Sequence, residues 1–462
     1  MFDLGVEGGT VVTPRGRSRA HVYVRDGRVA LLSGERQPAR ERVDASGLLV
    51  MPGMVDAHVH FMDPSDRERE DFPTGTAAAL RAGVTTVLEH THSGPVRTPA
   101  ELEEKRRYLA DRSRADFGLG AHAWTGMADQ VAGLWRAGAA FVKAFTCTTH
   151  GVPGLSPAEL LALFEAVAAV GAVCLVHAEE ESLTAAAERS LRRAGRADGG
   201  VIPAWRGREA EQVAVALTTL LARLTGARVV IAHASCPEVV RLATRERQLG
   251  APVAVETCPQ YLTLLESEVL EHGPFRKFTP PARARSRWDL EAMWQEVAMG
   301  TVDYVASDHA PSTPAQKRAG SIWEVHFGLP GIDTTLPVLL DAAHAGRIGY
   351  ERVAEVYAEA PARVYGLFPR KGTLRPGADA DLVLVDPGRS WRVEPSALLS
   401  RAGWSPFQGR VLHGRAVRTY LRGRLAAEED RVLAEPGWGR FLPGAGAGGA
   451  DVEPEHNEEV RS

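Results

Sequence analysis

The sequence predicts an α/β protein, a (β/α)8 TIM barrel carrying a small β-sandwich built from both chain ends. Three observations predict it. A long middle section alternates strand-like apolar runs with amphipathic helical stretches, the order that yields a parallel sheet covered by helices. Short apolar runs cut by turn dipeptides occupy both ends. The chain has 462 residues, 44% of them apolar, enough for one large core and an accessory one.

From the N-terminus, Thr10-Val11-Val12-Thr13, His21-Val22-Tyr23-Val24 and Val29-Ala30-Leu31-Leu32, with Asp26-Gly27 between the last two, have the spacing of a β-meander. The texture returns in Asp381-Leu382-Val383-Leu384-Val385-Asp386, Arg410-Val411-Leu412-His413-Gly414 and residues 417–423, so residues 1–53 and 369–435 are expected to complete one sandwich. Candidate strands for the barrel of residues 54–368 are 49–58, 84–89, 117–122, 140–145, 173–177, 228–233, 252–257 and 302–307. Eight such strands suit a closed barrel. Helix starts are legible where Thr98-Pro99-Ala100-Glu101 and Ser156-Pro157-Ala158-Glu159 place a capping hydroxyl, a first-turn proline and a returning glutamate. From Pro436 to Ser462, through Gly444-Ala445-Gly446-Ala447-Gly448-Gly449, there is little to bury, and disorder is expected.

Charge and cysteine content exclude several classes of function. A formal charge of −4 from 54 basic and 58 acidic residues, scattered along the chain, offers no footprint for nucleic acid or an anionic membrane. A small molecule is the expected partner. The start, Met1-Phe2-Asp3-Leu4-Gly5-Val6-Glu7, lacks the basic-then-apolar order of a secretory signal, and no apolar run is long enough to span a bilayer, so a cytoplasmic protein is expected. Cys147, Cys174, Cys236 and Cys258 are far apart, without finger or redox spacing, and read as reduced structural thiols.

The chemistry gathers at strand ends. Asp56-Ala57-His58-Val59-His60 closes the first candidate strand, and residues two apart point the same way, so both imidazoles can reach one metal. His177 in Val176-His177-Ala178-Glu179, His233 in Ile231-Ala232-His233-Ala234-Ser235 and Asp308 in Ser307-Asp308-His309-Ala310-Pro311 likewise follow apolar runs. Barrel strands present their C-terminal ends to the active-site face, so these groups are expected around one pocket. Imidazole and carboxylate suit zinc, with manganese, iron and cobalt as alternatives. Lys143, in Phe141-Val142-Lys143-Ala144-Phe145, is costly to bury as a cation. It either snorkels, pairs with an anion, or adds carbon dioxide as a neutral amine to become an anionic carbamate able to bridge two metals.

This set of motifs, with Glu256-Thr257-Cys258-Pro259-Gln260-Tyr261-Leu262, resembles the cyclic amidohydrolases of the amidohydrolase superfamily: dihydroorotases, allantoinases, hydantoinases and dihydropyrimidinases. The resemblance covers about residues 1–435. It implies one metal on His58, His60 and Asp308, a second on His177 and His233, and carbamylated Lys143 bridging the two ions, expected to be Zn2+. It further implies water activated by the ion pair, Asp308 as the catalytic proton shuttle in opening a small cyclic ureide or imide, and a dimeric or tetrameric homo-oligomer. A non-catalytic scaffold, known among relatives of dihydropyrimidinase, and a one-metal deaminase are the competing readings. All six site positions are present, which favours the enzyme.

Substrate residues are less well marked. Met62 stands where similar dihydroorotases place an arginine, His92 where they place an asparagine, and Thr148 where hydantoinases place an oxyanion-binding tyrosine. The lysine loop, Phe327-Gly328-Leu329-Pro330-Gly331-Ile332 and Trp404-Ser405-Pro406-Phe407-Gln408-Gly409-Arg410 look most like allantoinase. Met62, His92, Thr148, Gln260, Gly328 and Gly331 are therefore the candidate substrate contacts. His90, His92 and His150 are expected in loops around the pocket mouth.

Overall fold

The computed structural model describes residues 1–91, 94–149 and 151–448. Its centre is a set of parallel strands with helices between them. Asp116–Leu119 pairs with Val84–Glu89, which pairs with Met54–Val59. Ala121–His122, one residue after Leu119, starts a second parallel run through Val142–Phe145, Val173–His177, Arg228–Ile231, Val253–Thr257 and Tyr304–Val305. At the far edge, a parallel bridge joins Val59 to His309, and His60 N donates to His309 O at 2.8 Å.

These strands are buried on both faces, as a parallel sheet under helices requires. Val55, Ala57, Leu88, Phe141, Val173, Leu175, Val230, Ala232, Tyr304 and Ala306 form one apolar cluster, largely from alternate positions. The intervening Val87, Val142, Ala144, Cys174, Val176, Val229, Ile231 and Val305 belong to a second, which includes the buried sides of the helices. Both expected capping boxes are present: Thr98 and Glu101 satisfy each other's backbone N–H groups, as do Ser156 and Glu159.

The chain ends form two further sheets. One orders Arg28–Ser33, His21–Arg25, Phe2–Glu7 and Ala39–Asp44; the other runs Arg431–Val432, Arg424–Glu428, Val411–Leu421, Leu382–Arg392, Leu49–Pro52, Thr10–Thr13 and Gly16–Arg19. Leu4, Val6, Val22 and Val24 of the first share a buried cluster with Val11, Val50, Leu382 and Leu384 of the second.

Three expectations need correction. The segment 49–58 is two strands, not one. Gly53 separates them, its N–H donating to Asp381 O at 2.8 Å, and a Cβ there would meet Thr85 Oγ1 at 2.2 Å, so Leu49–Pro52 joins the terminal sheet. The first fifty residues are not a simple meander: Phe2–Glu7 is a central strand, and Thr10–Thr13 crosses to the other sheet. Nor is the chain disordered from Pro436. Leu442 is buried, Leu442 N donates to Phe117 O at 2.7 Å, and Phe117 and Phe441 form a parallel bridge. The expected disorder beyond Gly448 lies outside the described residues.

Lys371 ties the two parts together. Its Nζ sits 2.6 Å from Asp116 Oδ2 on a central strand and 2.7 Å from Asp381 Oδ2 beside the terminal sheet, with all three side chains buried. Removing one member of a buried ion cluster strands the others without water. Lys371→Met is therefore expected to lower stability by about 3–5 kcal/mol in guanidinium denaturation; a loss below about 1 kcal/mol, the range of an exposed pair, would show that the cluster does not brace the fold.

Candidate active site

Side chains two apart on a strand share a face, so the inward apolar rows determine what reaches the rim. Lys143 continues the row of Phe141, His177 that of Val173 and Leu175, and Asp308 that of Tyr304 and Ala306. His58 lies within a register irregularity between Asp56 and Val59, and His60 follows it. His233, Asp308 and Met62 have positive φ, 39°, 46° and 57°. Such non-glycine conformations are costly and gather where a side chain must be re-aimed. His58, His60, Lys143, His177, His233 and Asp308 line one pocket together with Phe145, Thr279, Phe327 and Gly328.

Within it, His58 Nε2 and His60 Nε2 each lie 3.3 Å from Asp308 Oδ1. His177 Nδ1 lies 3.0 Å from His233 Nε2. The outer ring nitrogens are anchored: His58 Nδ1 on Glu256 Oε1 at 2.7 Å, His60 Nδ1 on His90 O at 3.2 Å, and His177 Nε2 on Glu179 Oε2 at 2.8 Å. An imidazole that donates outward to a carboxylate or carbonyl keeps a lone pair for the pocket, the arrangement found behind metal-ligating histidines. Lys143 Nζ and His233 Nδ1 are buried with no hydrogen-bond partner among the described residues. Neutral imidazoles, a carboxylate and an unpartnered buried amine make a set that can hold divalent cations.

The electrostatics follow from burial. Desolvation lowers Lys143 to about 8 against the opposing pull of Glu256 and Asp308, and it carries His58 and His233 well below the ordinary histidine range, with neighbouring positive groups adding to the effect on the two imidazoles. The two anchoring carboxylates differ. Burial raises Glu256 to about 8. It also pushes Glu179 up, but Arg206, His177 and Arg283 outweigh it and hold that carboxyl well below its usual value.

Two clusters have metal-ligand spacing. His58, His60 and His90 offer ring nitrogens within 4.8 Å of one another. So do Cys147, His177 and Glu179 with their own donor atoms, but there Arg206 Nη1 already donates to Glu179 Oε2 at 2.6 Å and to Cys147 Sγ at 3.3 Å. A guanidinium holds the position a cation would take.

The other expected residues scatter. Gly328 lines the pocket, with φ 121° and a Cβ position only 2.1 Å from Ala310 O, so no side chain fits. Gly331 N donates to His309 Nδ1 at 3.1 Å. Met62 and Gln260 are buried. Thr148 is exposed and its hydroxyl donates to Glu181 Oε1 at 3.0 Å. His90 is not at the mouth but buried, stacked on His58 at 3.6 Å between centroids, with Nε2 on Ala57 O. His92 and His150 lie outside the described residues.

Comparison with known proteins gives this architecture a family. Residues 49–425 match the amidohydrolase family model. The chain belongs to the amidohydrolase family. This amidohydrolase is 33% identical over 453 residues to an L-hydantoinase of Paenarthrobacter aurescens, covering 96% of this chain and 98% of that one. It is 37% identical over 448 residues to an allantoinase of Rubrobacter xylanophilus, covering 96% and 97%. Among solved structures, an L-hydantoinase (dihydropyrimidinase) from Arthrobacter aurescens superposes with a TM-score of 0.92 at 32% identity, over 96% of this chain and all of that one.

Sequence reasoning gave no role to Glu179, Glu256, Arg206, Arg283, Thr279 or His122. Glu256 and Glu179 carried a usable signal, an acidic residue at the end of an apolar strand. The arginines had none, because their partners lie far away in the chain. His122 is register-paired with Lys143 and stacked on Phe145 at 5.4 Å, and burial lowers it to about 3. The four thiols are buried, and burial holds Cys147 and Cys174 up at about 12. Ellman's reagent is expected to modify none of them rapidly in the native protein and all four in guanidinium; one fast native thiol would contradict structural roles for all.

Proposed function

We propose that this amidohydrolase opens the cyclic amide bond of a small ureide or imide ring, in the manner of an allantoinase, using two divalent metal ions. The observation that carries the reading is the convergence just described. His58, His60 and Asp308 face one point, His177 and His233 another, and the buried, unpartnered Lys143 amine shares their pocket. Lys143, as a carbamate, would supply the further anionic ligand of this reading, and zinc is the ion that would best suit the imidazole–carboxylate donor set. The framework proposed for it is a closed (β/α)8 barrel of residues 54–368 with a sandwich from 1–53 and 369–435. Closure is supported by the Val59–His309 bridge and by the single residue, Gly120, between Leu119 and Ala121.

When bound, the metal pair activates a water and polarises the scissile carbonyl. Asp308 accepts the proton from the attacking water and returns it to the departing ring nitrogen, so its carboxylate acts first as base and then as acid. Phe145 and Phe327 supply apolar pocket walls for a flat ring, and the bare Cα of Gly328 lets it approach. Thr279 Oγ1 faces the same pocket but donates to Glu179 Oε2 at 2.9 Å.

Two observations narrow the ring. Met62 is buried and brings no charge for a substrate carboxylate, which disfavours dihydroorotate. The Thr148 hydroxyl is engaged by Glu181 at the surface, so a hydantoinase-type oxyanion contact has no donor there. Hydantoinase or dihydropyrimidinase activity is the second reading, favoured by the structural match to an L-hydantoinase.

Zinc-loaded protein assayed against allantoin, hydantoins, dihydropyrimidines and dihydroorotate is expected to open allantoin fastest. Preference for dihydroorotate, or no ring opened at all, would overturn the proposal. Asp308→Asn is expected to slow the accepted substrate by roughly 10²- to 10⁴-fold, since an amide cannot relay the proton. Lys143→Ala is expected to abolish turnover and lower the bound metal, as read by elemental analysis; full activity would remove the carbamate from the account.

A further inference from the structure

One buried carboxylate holds more of the rim together than any ligand does. Glu179 Oε2 accepts from His177 Nε2 at 2.8 Å, Arg206 Nη1 at 2.6 Å and Thr279 Oγ1 at 2.9 Å, while Oε1 accepts from Arg283 Nη2 at 2.6 Å. Glu179, Arg206 and Arg283 are at most 1% exposed. The arginines are themselves fixed. Arg206 Nη2 donates to Thr148 O at 3.1 Å and Arg283 Nη2 to Arg206 O at 2.9 Å, and Arg283 Nη1 reaches Glu211 and, at 3.0 Å, Ser235 Oγ. The segments after the strands ending in His177 and Thr257 meet at this carboxylate, and the arginines link it to the loops after the lysine strand and after His233.

From this geometry we infer that Glu179 is a positioning residue that selects Nδ1 of His177 as the atom offered to the pocket. An ionised carboxylate only accepts. With two guanidinium donors on it, Glu179 takes the His177 ring proton on Nε2, which leaves the Nδ1 lone pair facing His233 Nε2 3.0 Å away. His58 has an outer carboxylate too, Glu256, but no arginine is hydrogen-bonded to that group among the described residues. The brace is thus particular to the His177–His233 pair. Glu179 therefore sets the affinity of the second of the two proposed metal positions and leaves the first alone. The inference rests on the two-metal reading.

The test is a zinc titration against a chromophoric chelator, run on the full chain, with steady-state kinetics alongside. Wild-type protein is expected to bind two zinc ions. In Glu179→Gln one of the two ions is expected to lose about 10- to 100-fold in affinity, the range for an orienting partner of a metal ligand, while the other is unchanged. kcat should fall by more than KM changes, since no residue lining the pocket is itself replaced. Because Glu179→Gln leaves two buried arginines short of a counter-charge, Glu179→Gln/Arg206→Gln, which removes one charge of each sign, keeps the comparison available if the single variant does not fold. Equal loss of both ions, or two ions bound with wild-type affinity, would overturn the inference. Wild-type protein that never binds a second zinc would instead defeat the two-metal reading itself.

Discussion

Every strand of the central sheet is buried on both faces, and that constraint decides where polar chemistry can go. A strand with helices on one side and a packed interior on the other has no solvent face, so a charged or imidazole side chain is tolerated toward its end or, like Asp56, where the protein supplies its hydrogen bonds. Lys143, His177 and Asp308 are the first polar members of rows that are otherwise Phe, Val, Leu, Tyr and Ala. The rim is where those rows stop, and the site is there because the strands stop at a common level.

Once gathered, the polar groups must be satisfied without water. Their outer halves are: His58 by Glu256, His60 by the His90 carbonyl, His177 by Glu179, and Glu179 by two arginines. Toward the pocket they meet one another, His58 and His60 facing Asp308 and His177 facing His233, while Lys143 Nζ and His233 Nδ1 have no hydrogen-bond partner among the described residues. A native interior rarely leaves such groups bare without a reason in binding or catalysis. A buried amine without a hydrogen-bond partner, among imidazoles that converge on one carboxylate and on each other, is the physical mark of a site shaped around something else. It also separates this protein from a scaffold, which has no need to hold three imidazoles with their lone pairs turned inward.

Local periodicity made much of this readable in the sequence. Apolar runs located the strands, the capping boxes at Thr98 and Ser156 located helix starts, polar residues at strand ends located His58, His60, His177, His233 and Asp308, and a lysine set in an apolar strand located Lys143. What escaped was whatever depends on distant partners or on backbone fit. Arg206 and Arg283 look like any surface arginine until folding brings Glu179 between them. The strand Phe2–Glu7 carries its signal in the alternation of Phe2, Leu4 and Val6. The stretch after Pro436 reads as low complexity, yet Gly439, Gly444 and Gly446 stand where the chain packs too tightly for a side chain. A Cβ at Gly439 would lie 2.0 Å from Ala115 O, and one at Gly444 2.2 Å from Ala139 O. Small residues that permit contact and small residues that prevent structure have the same composition.

The central claim is that six side chains from separate strands hold a pair of metal ions, with Lys143 between them. A crystal of the zinc-loaded protein, measured on either side of the zinc absorption edge, tests it most directly. The account predicts two anomalous peaks, one among His58, His60 and Asp308 and one between His177 and His233, with density extending from Lys143 Nζ toward both. A single peak, or a Lys143 side chain ending in a bare amine beside two ions, would contradict it.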